Sequence, residues 1–181
     1  MTKQLVFLSI ATIIVISGCG NNTSQQPVAT MNHSDMNMNH PISSEVPLGL
    51  KEAKNPTYEV GSQAVIQAEH MPGMKGATAT IVGTYDTTAY AVSYTPTTGG
   101  QPVKNHKWVI LEEIENAGNQ TLKPGTEVTL EADHMPGMKG ASATIESAEH
   151  TTVYVVDYNP TTGGETVKNH KWVIGSELST K

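Results

Sequence analysis

The sequence predicts an all-β protein, two tandem small SH3-like barrels or rolls reached through a signal peptide and a disordered linker. Three observations carry that expectation. The chain repeats itself at a spacing of 64 residues, short alternating apolar and polar runs lie between Pro and Gly turns, and a helical period is almost absent.

The first eighteen residues read as a secretory leader. Lys3 supplies a short positive start, and residues 5–16 are apolar or small, broken only by Ser9 and Thr12. A run this short is a signal h-region, because a membrane-spanning helix needs ~20 residues. The following Ile16-Ser17-Gly18-Cys19 resembles a bacterial lipobox, which implies cleavage before Cys19 and lipid on its sulfur. Two acyl chains on one cysteine make a stable anchor where one is marginal. An ordinary signal with a chance cysteine is the plainer alternative.

Cys19 is the only cysteine, so a disulfide within the chain is excluded. A lipid on its sulfur leaves no thiolate for metal binding or catalysis. Removing residues 1–18 takes away Lys3 and no acid, which moves the net charge from −6 to −7. An acidic chain without a Lys/Arg cluster argues against a nucleic-acid partner and against docking on anionic lipid by charge.

Residues 19–54, rich in Asn, Ser, Gln, Met and Pro, read as a flexible tether. The repeats then run over residues 55–116 and 119–181, with His70 matched by His134, Tyr90 by Tyr154, His106 by His170 and Trp108 by Trp172. Two copies are too few for a solenoid. In the first copy, strands are expected at residues 64–68, 77–82, 90–94 and 107–110, with Thr97-Thr98-Gly99-Gly100 as a hairpin reversal. A unit of ~60 residues buries little surface, so packing of one copy on the other is expected.

The octapeptide His-Met-Pro-Gly-Met-Lys-Gly-Ala recurs at residues 70–77 and 134–141. Its Pro-Gly pair favours a tight turn that brings Met74 back toward His70, with Met71 as a third donor where the turn begins at once; His134, Met138 and Met135 match them. Thioether and imidazole together suit a soft monovalent cation such as Cu(I), with Ag(I) or Cu(II) as alternatives. Buried Met71 and Met74 could equally be gap-filling hydrophobes. The tether tips that balance, since Met31, His33, Met36, Met38 and His40 occupy a segment with no core to fill.

His106 and His170 stand two residues before a tryptophan. Strict alternation puts His106, Trp108 and Ile110 on one face and Asn105, Lys107 and Val109 on the other. Two readings stay open: a histidine at the barrel rim beside a core tryptophan, or His106 completing a site with His70, Met71 and Met74. In a variant of the second, the Trp108 face covers the metal. His150 has Asp86 as its counterpart and reads as a surface residue. No catalytic triad context, phosphate loop or His-Glu-x-x-His is present, so no enzymatic activity is expected.

The His-Met-x-Gly-Met-x-Gly-Ala stretch, the Tyr-x-Val-x-Tyr-x-Pro-x-x-Gly-Gly hairpin and the Asn-His-Lys-Trp-Val ending, given twice behind a lipobox, resemble the YdhK-type tandem-repeat lipoproteins. That family was long filed as a domain of unknown function, and it includes copper-binding lipoproteins of Gram-positive bacteria linked to copper resistance. The resemblance implies a lipid-anchored protein on the outer face of the cell membrane that sequesters copper, with exchange with a copper export pump as a further role. It carries the motif positions over to His70, Met71, Met74, His134, Met135 and Met138. A rival reading is a cell-wall module that binds peptidoglycan through Tyr90, Tyr94 and Trp108.

Overall fold

The computed structural model describes residues 46–181. The expected leader, Cys19 and the tether positions Met31, His33, Met36, Met38 and His40 lie outside the described residues. Apart from two three-residue 3-10 turns, the regular structure in the described residues is β: β1 Lys51–Glu52, β2 Gln63–Ile66, β3 Thr78–Tyr94, β4 Val103–Ile110, β5 Glu127–Thr129, β6 Ser142–Tyr158, β7 Val167–Ile174 and β8 Leu178–Ser179. The all-β, two-repeat architecture is thus the one the sequence predicts.

The strands expected at residues 77–82 and 90–94 are the two ends of one 17-residue strand, β3, and β6 is its equal in the second repeat. The residues between them explain the fusion. Thr84, Tyr85, Thr87 and Thr88 are β-branched or aromatic, and Gly83 alone is too weak a breaker to turn the chain. Thr84, Thr87 and Thr88 are buried in the ribbon that results.

β3 and β6 pair antiparallel along their whole length, from Ala79 opposite Tyr158 to Tyr94 opposite Ala143. Exchanging repeats turns each of those two pairs into the other, so the ribbon has a pseudo-twofold axis through its middle. β2 and β4 flank the two ends of β3, while β5 and β7 flank those of β6. β8 from the second repeat pairs with β2 of the first, and the Ile114–Leu130 bridge is the mirror of that contact.

Each hydrophobic cluster therefore draws on both repeats. One joins Ile66, Met74, Ala77 and Ile81 to Tyr154, Val156, Tyr158 and Leu178. Its counterpart joins Tyr90, Val92, Tyr94 and Ile114 to Leu130, Met138, Ala141 and Ile145. A third, on the axis, packs Trp108 and Ile110 with Trp172 and Ile174. The last residues of the expected tether also join the fold: Lys51 and Glu52 pair with β3, and Val46 and Leu50 pack against the tryptophan cluster.

The His-Met-Pro-Gly segment forms the turn the sequence predicts. Met74 N–H donates to the Met71 carbonyl at 3.2 Å, and Gly73 takes φ +77. The turn docks on the other repeat's hairpin, where Thr161 N–H donates to the Gly73 carbonyl at 2.9 Å. Thr97 does the same to Gly137 at 2.9 Å. A Cβ on Gly73 would lie 2.5 Å from Thr162 Oγ1 and 3.0 Å from Pro160 Cβ, in a backbone region costly for L side chains. Gly73→Ala is expected to cost about 1–3 kcal/mol. Urea unfolding checks this, and an unchanged midpoint would contradict the docking contact.

Candidate metal centre

Four histidines gather where the repeats exchange halves. The His70 and His170 ring centroids are 6.4 Å apart with planes tilted by 39°. The His106 and His134 centroids are 6.3 Å apart with a tilt of 41°. Each pair takes one imidazole from each repeat. Of the two readings open for His106, the one that joins it to His70 within one repeat meets a different nearest pairing, since the ring packed against His106 is His134 of the other repeat.

A register shift puts His106 where it is. His106 lies opposite Val92 and Val109 opposite Tyr90, so β4 spends three steps where β3 spends two. The extra residue is a β-bulge, and it turns His106 onto the face shared by Val109, Val92 and Tyr90, away from the Trp108 face. Strict alternation fails here for that reason. Asn105, at φ +50, starts the irregularity, and its N–H donates to Ser93 Oγ at 3.0 Å. β7 repeats the same shift around His170.

Two carboxylates hold the outer histidines. His70 Nε2 donates to Glu177 Oε1 at 2.8 Å, and His134 Nε2 donates to Glu113 Oε1 at 2.7 Å. The second oxygen of each carboxylate takes an indole N–H, Trp108 to Glu177 and Trp172 to Glu113, both at 2.9 Å. That oxygen also takes a backbone N–H, from Ile174 or Ile110, at 3.2 Å. Burial alone would raise the pKa of Glu113 and of Glu177. The charge of His134 and the hydrogen bonds from His134, Trp172 and Ile110 outweigh it at Glu113 and hold the carboxyl below its ordinary range. His70, Trp108 and Ile174 do so at Glu177. An ionised carboxylate cannot donate, so Nε2 of His70 and of His134 carries the shared proton, and in the neutral form of each ring Nδ1 presents a lone pair.

Those lone pairs have no protein partner. His70 Nδ1, His134 Nδ1, His106 Nε2 and both ring nitrogens of His170 are buried without a hydrogen bond. Buried polar atoms are nearly always satisfied, so this concentration of orphans leaves several ring nitrogens open to a partner from outside the chain. Tyr94 packs edge-on against His106 at 6.0 Å and Tyr158 against His170 at 5.8 Å, which shields the rings from water.

Burial pushes the His106 pKa down to about 4, helped by the charges of His134 and His70 and opposed by Glu113. Burial, followed by the charges of His70, His134 and His106 and opposed by Glu177, pushes His170 down to about 3. Both rings stay neutral in the fold where an unfolded chain, with histidine near ~6.5, takes up protons. Stability is therefore full above about pH 6.5 and drains as pH falls from there toward about 4 for His106 and about 3 for His170. The metal-free protein should melt about 5 °C or more lower at pH 4.5 than at pH 7.5. Thermal circular dichroism measures this, and equal melting temperatures would contradict buried neutral rings.

The methionines are placed differently. Met74 and Met138 are fully buried in the two repeat-crossing apolar clusters, where packing accounts for them. Met71 is half-buried and Met135 is 39 % exposed. Each indole carries its neighbouring lysine, with Lys107 Nζ 4.9 Å from the Trp108 ring centre and Lys171 Nζ 5.8 Å from that of Trp172. The Trp108 ring thus has Lys107 and Glu177 as its polar partners. His150 is exposed, 3.4 Å from Thr88 Oγ1, as a surface residue should be. Tyr90, Tyr94 and Trp108 are buried, so they form no open aromatic groove for a wall polymer.

Sequence reasoning did not single out Glu113 and Glu177. A signal was there: in the turns Leu111-Glu112-Glu113-Ile114 and Gly175-Ser176-Glu177-Leu178, the glutamate is the one residue both repeats keep.

A family profile described as "Protein of unknown function (DUF1541)" matches residues 60–111 and 124–175, one match per repeat. The chain is 60 % identical over 181 residues to the "Uncharacterized protein YdhK" of Bacillus subtilis (strain 168), covering 98 % of this chain and 88 % of that one. It is similar to the crystal structure of a DUF1541 family protein (ydhK) from the same organism, with a TM-score of 0.76 and 67 % identity over 77 % of this chain and 95 % of that chain. The solution NMR structure of the ydhK C-terminal domain from B. subtilis gives a TM-score of 0.65 at 67 % identity, over 68 % and 93 % of the two chains. Two matched repeats and a relative alike over nearly its whole length place the chain in the DUF1541 family, the YdhK-type tandem repeats.

Proposed function

We propose that the chain is a non-enzymatic, membrane-anchored protein of the outer cell surface that binds and sequesters copper and so contributes to copper resistance. The observation that carries this reading is the set of buried imidazole nitrogens without partners, two of whose rings are fixed by carboxylates. A histidine that ligates a metal through one nitrogen commonly donates the other N–H to a carboxylate, which sets tautomer and orientation. Neutral imidazole is a good donor to copper. The Met/His run in the tether adds weaker soft donors, and lipid on Cys19 supplies the anchor to the membrane. Exchange with an export pump fits a protein held at that surface.

Titrating the purified chain with Cu(I) against a competing chelator tests the proposal. Tight retention beyond what the tether alone provides is expected. A chain that yields all its copper to a weak chelator, or that instead pulls down on purified cell wall, would overturn it.

A further inference from the structure

We propose that the fold carries two equivalent two-coordinate metal sites, one between His70 and His170 and one between His134 and His106, which take monovalent soft ions in preference to Zn(II). The inference rests on the copper-binding reading and names its ligands, its stoichiometry and its selectivity.

Geometry supports two donors in a line. With metal–nitrogen bonds of ~2 Å, two imidazoles on opposite sides of one ion have ring centres about 6 Å apart, and a tetrahedral angle draws them to about 5 Å. The observed separations of 6.4 and 6.3 Å match the straight arrangement. Among the described residues no group of three or more His, Cys, Asp or Glu side chains is placed to hold one ion. Zn(II) wants four ligands in a closed site and would find two here. A monovalent ion between two neutral rings also brings only one charge into a buried place, where a second charge is expensive without counter-ligands.

The supporting groups agree. Glu177 orients the His70 ring and Glu113 the His134 ring, leaving Nδ1 of each as the free donor. On the other side His170 has both nitrogens unpartnered and His106 has Nε2. The two glutamates are themselves held by Trp108 and Trp172, so each site has ligands and supports from both repeats. The indoles thus serve as positioning residues. Met74 and Met138 lie within the apolar clusters, and the proposed sites use ring nitrogens alone.

Ag(I) titration of the full chain in detergent micelles, with histidine 15N and methionine methyl 13C resonances followed by NMR, tests the proposal. The ring nitrogens of all four histidines should shift, with direct silver–nitrogen coupling, and saturate at two ions outside the tether. Met74 and Met138 methyls should not move. His170→Ala should remove the His70 response and spare the His134 pair, with His106→Ala as the converse should the first variant misfold. Glu177→Gln should weaken the His70 site ~10–100-fold. One ion touching all four rings, a response confined to methionines, or Zn(II) competing on equal terms would overturn the inference while copper binding itself stands. No response at any histidine or methionine, tether included, would sink both.

Discussion

Glu113→Ala is expected to lower folding stability by about 3–5 kcal/mol. The carboxylate is the acceptor for His134 Nε2, Trp172 Nε1 and the backbone N–H of Ile110. Alanine would strand all three in a place where the side chain is only 6 % exposed. Stranded buried donors cost more than the bonds they made, because water cannot replace the lost acceptor. Glu177 holds the matching trio, but its side chain is 15 % exposed, so Glu177→Ala should cost less. Urea denaturation of both variants gives the comparison. A loss below ~1 kcal/mol for Glu113→Ala would show that the network is not a support.

Cutting the chain between its repeats should have a still larger effect. A fragment of residues 55–116 owns only half of each repeat-crossing apolar cluster, and its long strand β3 loses the partner β6 along its full length. The fragment is expected to be unfolded as a monomer, or to recover structure only by pairing two copies about the axis that relates the repeats. Its own residues 79–94 would then take the place of β6, since the second repeat is a close copy of the first. Sedimentation and circular dichroism of the fragment decide the matter. A folded monomer with sharp unfolding would contradict the exchange of halves.

Much of the architecture was legible in the residues. The 64-residue period, the Pro-Gly turn at Pro72-Gly73 and the strand ends around Ala79 and Tyr94 all fall where alternation and turn chemistry put them. The continuity of β3 was harder to read, because Gly83 and Asp86 look like breakers until a partner strand supplies the hydrogen bonds that hold them extended. The exchange of halves was illegible for a deeper reason: closely similar repeats contain nearly the same pairing information whether they fold side by side or across one another.

The candidate site shows the same divide. Histidines 70, 106, 134 and 170 were found from residue type and motif, yet their pairing was not, since it depends on the bulge that turns His106 and on the crossing of repeats. Met74 and Met138 drew attention as donors because sulfur beside imidazole suggests a soft ion, but the same side chains also pack well when fully buried in an apolar cluster. Local sequence cannot separate these roles.

The pairing of β8 with β2 reaches across more than a hundred residues, from Val65 to Ser179. A chain that emerges from its amino end must therefore hold β2 with one edge open until residues 178–179 arrive, and closing so wide a loop is slow. During that interval the unsatisfied edge beside Ile66 is open to pairing with another strand. Chaperones that shelter the nascent polypeptide would have to guard this margin.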